Sequence, residues 1–170
     1  MIDVEEFRSR FSYDHETGVI TRKTNDARVK RWVSGAIAGG INGQGYREIK
    51  VYGKTIGAHR IAWVLYYGEQ PPEYIDHINR IPSDNRIQNL RAATKSQNGA
   101  NRKALSNNAT GIKGCYFVPS KSVNGTGRWR AQCRVGKKLF CLGRYLTVEQ
   151  AQAAYNTFAA TAFGAFAVNS

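Results

Sequence analysis

The chain has 170 residues, 42% of them hydrophobic and 11% aromatic, which is enough apolar material for packed cores and excludes wholesale disorder. Its 25 Lys and Arg against 12 Asp and Glu give a net charge of +13, which makes nucleic acid the natural partner. No apolar run approaches the ~18 residues of a membrane span, no basic amphipathic helix stands out, and the start, MIDVEEFRSRF, lacks the apolar segment of a signal peptide, so a cytoplasmic protein with no membrane partner is expected.

The charge is unevenly placed. Residues 103–170 hold nine Lys and Arg and a single acid, Glu149, whereas residues 1–102 hold sixteen and eleven. Keeping the acids in the first part suggests chemistry there and binding in the second. Cys115, Cys133 and Cys141 have no CxxC spacing and read as reduced, small side chains rather than as a zinc site.

In chain order, GVITRK (18–23), SGAIAGGI (34–41) and GYREIKVYGKTIGAHR (45–60) read as short strands with glycine turns. The last of these holds a strand over Tyr46–Tyr52, a turn at Gly53-Lys54 and a second strand. HRIAWVLYYG (59–68) sets Ile61, Ala62, Leu65 and Tyr66 at helical spacing and stops at Gly68. Thr94, with Gln97 three later, is a capping-box helix start. Residues 102–110 are polar and turn-rich, a linker. GRWRAQCRVGKKLFCLGRYL reads as two strands around Gly136-Lys137. The next helix starts at Thr147 with Gln150, carries the stripe Ala151, Ala154, Tyr155, Phe158 and Ala162, and ends at Gly164.

The chemistry concentrates in IDHINRIPSDNRIQNL (75–90). If Ile75-Asp76 ends a strand, Asp76 and His77 stand at the mouth of a loop. Phosphodiester hydrolysis needs a base to activate water and a cation to neutralise charge, and a neutral imidazole is a base near pH 7. Asp76 supplies one hard oxygen ligand for a divalent ion, and Asn98, one turn into the helix after Thr94, is placed to supply another.

The run DHIN, DNRIQNLR, SQN resembles the HNH endonuclease family, in the asparagine-ended variant common in phage and intron-encoded enzymes. The resemblance implies a ββα-metal motif over about residues 74–101. It gives His77 as general base, Asp76 and Asn98 as metal ligands and Asn89 as the catalytic-loop asparagine that braces the loop by backbone hydrogen bonds. Asn85 orders the loop and Arg86 faces DNA. An amide at the last ligand position implies Mg²⁺ or Mn²⁺ rather than Zn²⁺. FSYDHETGVITRK, GQGYREIKVYGK and AHRIAW resemble the family's usual β-rich flank. Read by themselves, His59 is a packing or capping residue, His15 a turn residue, and Tyr66 and Tyr67 core residues.

In RWRAQCRV, alternation puts Arg128, Arg130, Gln132 and Arg134 on one face and Trp129, Ala131, Cys133 and Val135 on the other. The first face suits phosphates and guanine edges. Residues 111–169, through GIKGCYF, GRWRAQCRV and FCLGRYLTVEQAQAAYNTFAATAFGAFAVN, resemble the Apetala-type (ethylene-response-factor) DNA-binding domain. That resemblance implies three strands against one helix. It brings Lys113, Arg128, Trp129, Arg130, Gln132, Arg134, Lys138 and Arg144 to DNA, although alternation puts Trp129 with the core.

The expectation is an α+β protein in two domains, 1–101 (a β-rich lobe and the nuclease core) and 111–170 (a three-stranded sheet packed on one helix). Its expected activity is that of a homing-type, Mg²⁺- or Mn²⁺-dependent DNA endonuclease carried by a phage or mobile element in a bacterial host. It would act on double-stranded DNA as a monomer or transient dimer. The rival reading is a DNA-binding regulatory protein on a nuclease-derived scaffold. An RNA-binding module is a weaker third, since stacking aromatics on the sheet face are sparse.

Overall fold

A computed structural model describes residues 3–23, 33–102, 108, 110–121 and 125–167. Of the expected linker, residues 103–107 and 109 lie outside the described residues, as do residues 168–170 at the end of the second expected domain. The fold is a mixture of helices and strands, α+β, in two compact units, Met1–Ala93 and Thr94–Ser170.

The first unit begins with a helix that no apolar stripe announces, α1 (Val4–Arg10). Asp3 caps it by accepting from the Glu6 amide at 3.0 Å, with Glu5 and Glu6 in the first turn and Arg8 and Arg10 in the last, charges that oppose the helix dipole. Hairpin β1 (Phe11–Tyr13) and β2 (Ile20–Arg22) follows. Its turn reaches Gly18 at φ +75°, where a Cβ would stand 2.5 Å from the Arg86 nitrogen, so the turn abuts the loop after residue 77 too closely for any side chain.

Strands β3 (Gly40–Ile41), β4 (Arg47–Val51) and β5 (Lys54–Gly57) form an antiparallel sheet in that order. Helix α2 (Ala58–Tyr67) leaves β5 directly, buries Ala58, Ile61, Ala62, Trp63 and Val64, and ends on Gly68 in the left-handed region. Tyr66 and Tyr67, expected in the core, are 47% and 48% exposed instead. They stand on the last turn of α2, where the helix has run past the core that Phe11, Ile20, Ile49, Ala58 and Ile61 build beneath it. The hairpin β6 (Tyr74–His77) and β7 (Leu90–Ala93) completes the unit, pairing Asp76 with Arg91 and His77 with Leu90.

The second unit opens with α3 (Lys95–Asn101), closed at its start by the expected capping box: Gln97 N donates to Thr94 Oγ1 at 3.2 Å, and Thr94 N to Gln97 Oε1 at 2.8 Å. This helix groups with the residues after it, where the sequence reading kept it with those before. The Lys113 ammonium donates to the carbonyls of Gly99, Ala100 and Arg102 at 2.8, 2.6 and 2.9 Å, Gly136 N donates to Ser96 Oγ at 3.0 Å, and Ala100 enters the second core. Strands β8 (Cys115–Val118), β9 (Arg128–Val135) and β10 (Lys138–Tyr145) form an antiparallel sheet with β9 central. Helix α4 (Val148–Phe163), capped by Thr147, lays Ala151, Tyr155, Ala159 and Phe163 into the core with Ala131 and Cys133. The buried stripe thus runs at intervals of four, with Ala154, Phe158 and Ala162 half-buried beside it.

Candidate active site

Strand β6 ends by burying two ionisable side chains, Asp76 at 3% and His77 at 7% exposure. A buried carboxylate needs a partner, and the register supplies one: Arg91, opposite on β7, donates from Nε to Asp76 Oδ2 at 2.8 Å. Burial holds the His77 imidazole below its ordinary 6.5, with smaller opposing pushes from Asn85, Asp76 and Asp84, so the ring is neutral at pH 7. His77 Nε2 stands 3.4 Å from Asn85 Oδ1.

The loop between the strands is built by amides. Asn89 accepts from the Asn79 backbone at 2.9 Å and donates to the Asp84 carbonyl at 2.8 Å, so one side chain joins both ends of the loop. Asn85, 1% exposed, donates to the Ser83 carbonyl at 3.2 Å, and its own carbonyl accepts from the Tyr13 hydroxyl of β1 at 2.7 Å. Arg86 turns onto Asp84, with Nε and Nη2 at 2.9 and 2.6 Å from its two oxygens, rather than pointing away from the loop.

The Arg86 hydrogen bond is the main reason the Asp84 carboxyl lies down at about 2 against an ordinary 3.8. A carboxyl depressed by folding adds stability above its ordinary value, lost as the pH falls through the folded one. Urea denaturation followed from neutral pH down towards 2 is therefore expected to show the wild type losing stability over that window. Asp84→Asn, with no carboxyl to protonate, should lose less.

Three rings meet at His77. His59, on the first turn of α2, lies 5.3 Å from His77 between centroids in an edge-on arrangement, and Tyr46 lies 5.8 Å from His59 and 5.9 Å from His77. Burial first, then His77 and Arg60, lowers His59 to about 4, so it too is neutral at pH 7. The sequence reading did not join these residues to the site; AHRIAW as a flank of the motif was the available signal.

Asn98 stands on α3, in the second unit, half-buried. The Asp76 carboxylate and the Asn98 amide are each hard oxygen donors, the kind that Mg²⁺ and Mn²⁺ take. Among the described residues no group of three or more His, Cys, Asp or Glu could hold a metal.

The second unit carries the basic face. Register pairs Arg130 with Tyr116 and Arg144, Gln132 with Cys141, and Arg134 with Leu139, and these point away from the core that holds Ala131 and Cys133. No acid occurs between residues 115 and 145. Arg128 bonds the carbonyls of Thr126 and Gly127, and Arg130 Nη2 donates to Cys141 Sγ at 3.0 Å.

Three residues expected at DNA lie off the Arg130 face. Lys113 has its ammonium on three carbonyls of α3 and its C-cap. Lys138 pairs with Val135 and lies over the Phe140 ring, which meets Phe158 of α4, so it shares the helix side of the sheet. Trp129 packs against the second core and meets Phe117 edge-on at 5.5 Å. Lys95 and Lys137, which the sequence reading did not single out, line a cleft of about 790 Å³ with Gln132 and Arg134.

Residues 57–100 match the family model described as HNH endonuclease, a span running from the start of α2 through β6, its loop and β7 into α3. No curated protein and no solved structure matches the chain.

Proposed function

We propose that the protein is a DNA endonuclease that hydrolyses phosphodiester bonds with His77 as general base. The observation that carries this is a buried, neutral imidazole at the end of β6, beside a buried carboxylate, inside the segment that matches HNH endonucleases. With Nε2 donating to Asn85 Oδ1, Nδ1 is the nitrogen that takes a proton. It accepts that proton from a water whose oxygen attacks phosphorus in line. The bond from phosphorus to the 3′ oxygen breaks, and solvent protonates that oxygen, leaving 5′-phosphate and 3′-hydroxyl ends.

Asp76 and Asn98 would hold a divalent cation, which when bound neutralises charge that builds on the phosphate. Arg91 keeps the Asp76 carboxylate oriented through Oδ2. Asn89 and Asn85 fix the loop against which the scissile strand lies, and Tyr13 ties that loop to the β-lobe.

The second unit grips the duplex. A three-stranded sheet backed by one helix, with an acid-free face of Arg130, Gln132, Arg134 and Arg144, supports an Apetala-type mode of binding. Sequence-directed cutting of the homing type follows from pairing such a grip with a nuclease. One motif per chain cuts one strand at a time.

Supercoiled plasmid carrying the flanks of the protein's own gene tests this. With Mg²⁺ the nicked form should accumulate, and EDTA should stop it. Binding without cleavage of any DNA would overturn the enzyme reading in favour of a regulatory DNA-binding protein. Arg130→Ala should weaken binding and reduce the slope of log K against log salt by about one, the share of one phosphate contact. An unchanged slope would remove Arg130 from the DNA surface.

A further inference from the structure

We infer that His59 is the positioning residue of the general base: its ring, seated on the bare Cα of Gly57 and flanked by Tyr46, holds the His77 imidazole in its working orientation. The inference rests on the endonuclease reading and adds to it a residue outside the motif's own ligands and base.

At Nε2 the His77 ring meets Asn85 Oδ1 across a long 3.4 Å. A further restraint comes from packing. His59 provides it edge-on at 5.3 Å, and Tyr46 closes a triangle of three rings with sides of 5.3, 5.8 and 5.9 Å.

The seat of the His59 ring is itself specified. Gly57 has an ordinary backbone, outside the left-handed region, so its φ does not call for glycine. What calls for it is space. A Cβ at residue 57 would stand 2.5 Å from His59 Cε1, 3.0 Å from Nδ1 and 3.2 Å from Nε2, so any side chain there would push the ring off its place. Gly57 ends β5 and Tyr46 immediately precedes β4, so the β-lobe fixes the base from behind.

What His59 contributes is shape rather than a proton or a hydrogen bond from Nδ1. That nitrogen is buried and has no hydrogen-bond partner among the described residues. The ring also stays uncharged at working pH and so does not repel His77 when that residue takes up its proton. A neutral ring of fixed position is what a packing restraint requires. The rate is sensitive to it because misplacing a reacting group by about 1 Å can cost on the order of 100-fold.

The test is steady-state nicking of plasmid in Mg²⁺, with DNA affinity and thermal melting measured on the same proteins. H59A is expected to lower kcat about 10- to 100-fold with KM and Kd for DNA nearly unchanged. H59F, which keeps a ring in the slot, should recover most of that loss. G57A leaves both histidines in the chain but displaces one, and it should lower kcat as H59A does.

A merely structural role would move the melting temperature and leave kcat of the folded protein alone. Unchanged kcat in H59A, or H59F as slow as H59A, would overturn the inference while the endonuclease reading stood. If H59A does not fold, the pair H59F and G57A decides: fast and slow respectively support it, and any other result overturns it. Wild type that cuts no DNA would remove the endonuclease reading, and this one with it.

Discussion

His77→Ala is expected to abolish cleavage within the range of most assays, a loss of roughly 10²–10⁴-fold in kcat, the usual contribution of general base catalysis. Affinity for DNA should hardly change. The imidazole is 7% exposed and neutral, so it neither neutralises phosphate nor presents much surface to it. The discriminating measurement is Kd beside kcat on one preparation. Binding lost along with cutting would mean that His77 holds the loop rather than activates water, and the base would then have to be sought elsewhere.

The second large effect is on stability. Arg91→Ala should destabilise the protein by ~3–5 kcal/mol, the cost of leaving a buried charge without its partner. Asp76 is 3% exposed and its Oδ2 takes the Arg91 Nε–H at 2.8 Å, so removing the guanidinium takes this ion pair from a buried carboxylate of the first unit. Asp76→Asn in the Arg91→Ala background should recover part of the loss, since the amide carries no charge to strand. Urea unfolding of the two singles and the double gives the coupling directly, and additive effects would show that the pair is not interacting. The same double variant should not cut DNA, because the carboxylate that would hold the cation is gone. Stability and activity therefore part company at this pair.

Much of this was legible because its signals are local. The apolar residue before Asp76-His77, the amide-rich loop and the Thr94–Gln97 capping box each act within a few residues, and they put β6, β7 and α3 in the right order. Helix α1 was passed over although Asp3, two early acids and two late arginines marked it, because seven residues burying only Phe7 carry no periodic stripe.

The basic face shows the limit of alternation. Strict counting along β10 would put Lys138 and Arg144 on one side, but the register shifts between Cys141 and Gly143, and the bulge sends them to opposite faces. Lys113 and the ring cluster were out of reach for another reason. They depend on where long side chains and distant turns come together, and neither periodicity nor composition records that. Tyr46 just before β4, His59 on α2 and His77 on β6 lie far apart in the sequence, and only the folded chain makes them neighbours.

The ammonium of Lys113 sets where this protein can be divided. A fragment stopped at residue 101, where composition alone suggests a boundary, would lose the cation that closes the last carbonyls of α3 and the core that receives Ala100. Seven residues are too few to keep a helix by themselves. Such a fragment would retain Asn98 in its letters while surrendering the backbone that presents it. Anyone seeking a minimal cutting module should extend it through α4, and a domain-swapped chimera should exchange Thr94 onward as one block.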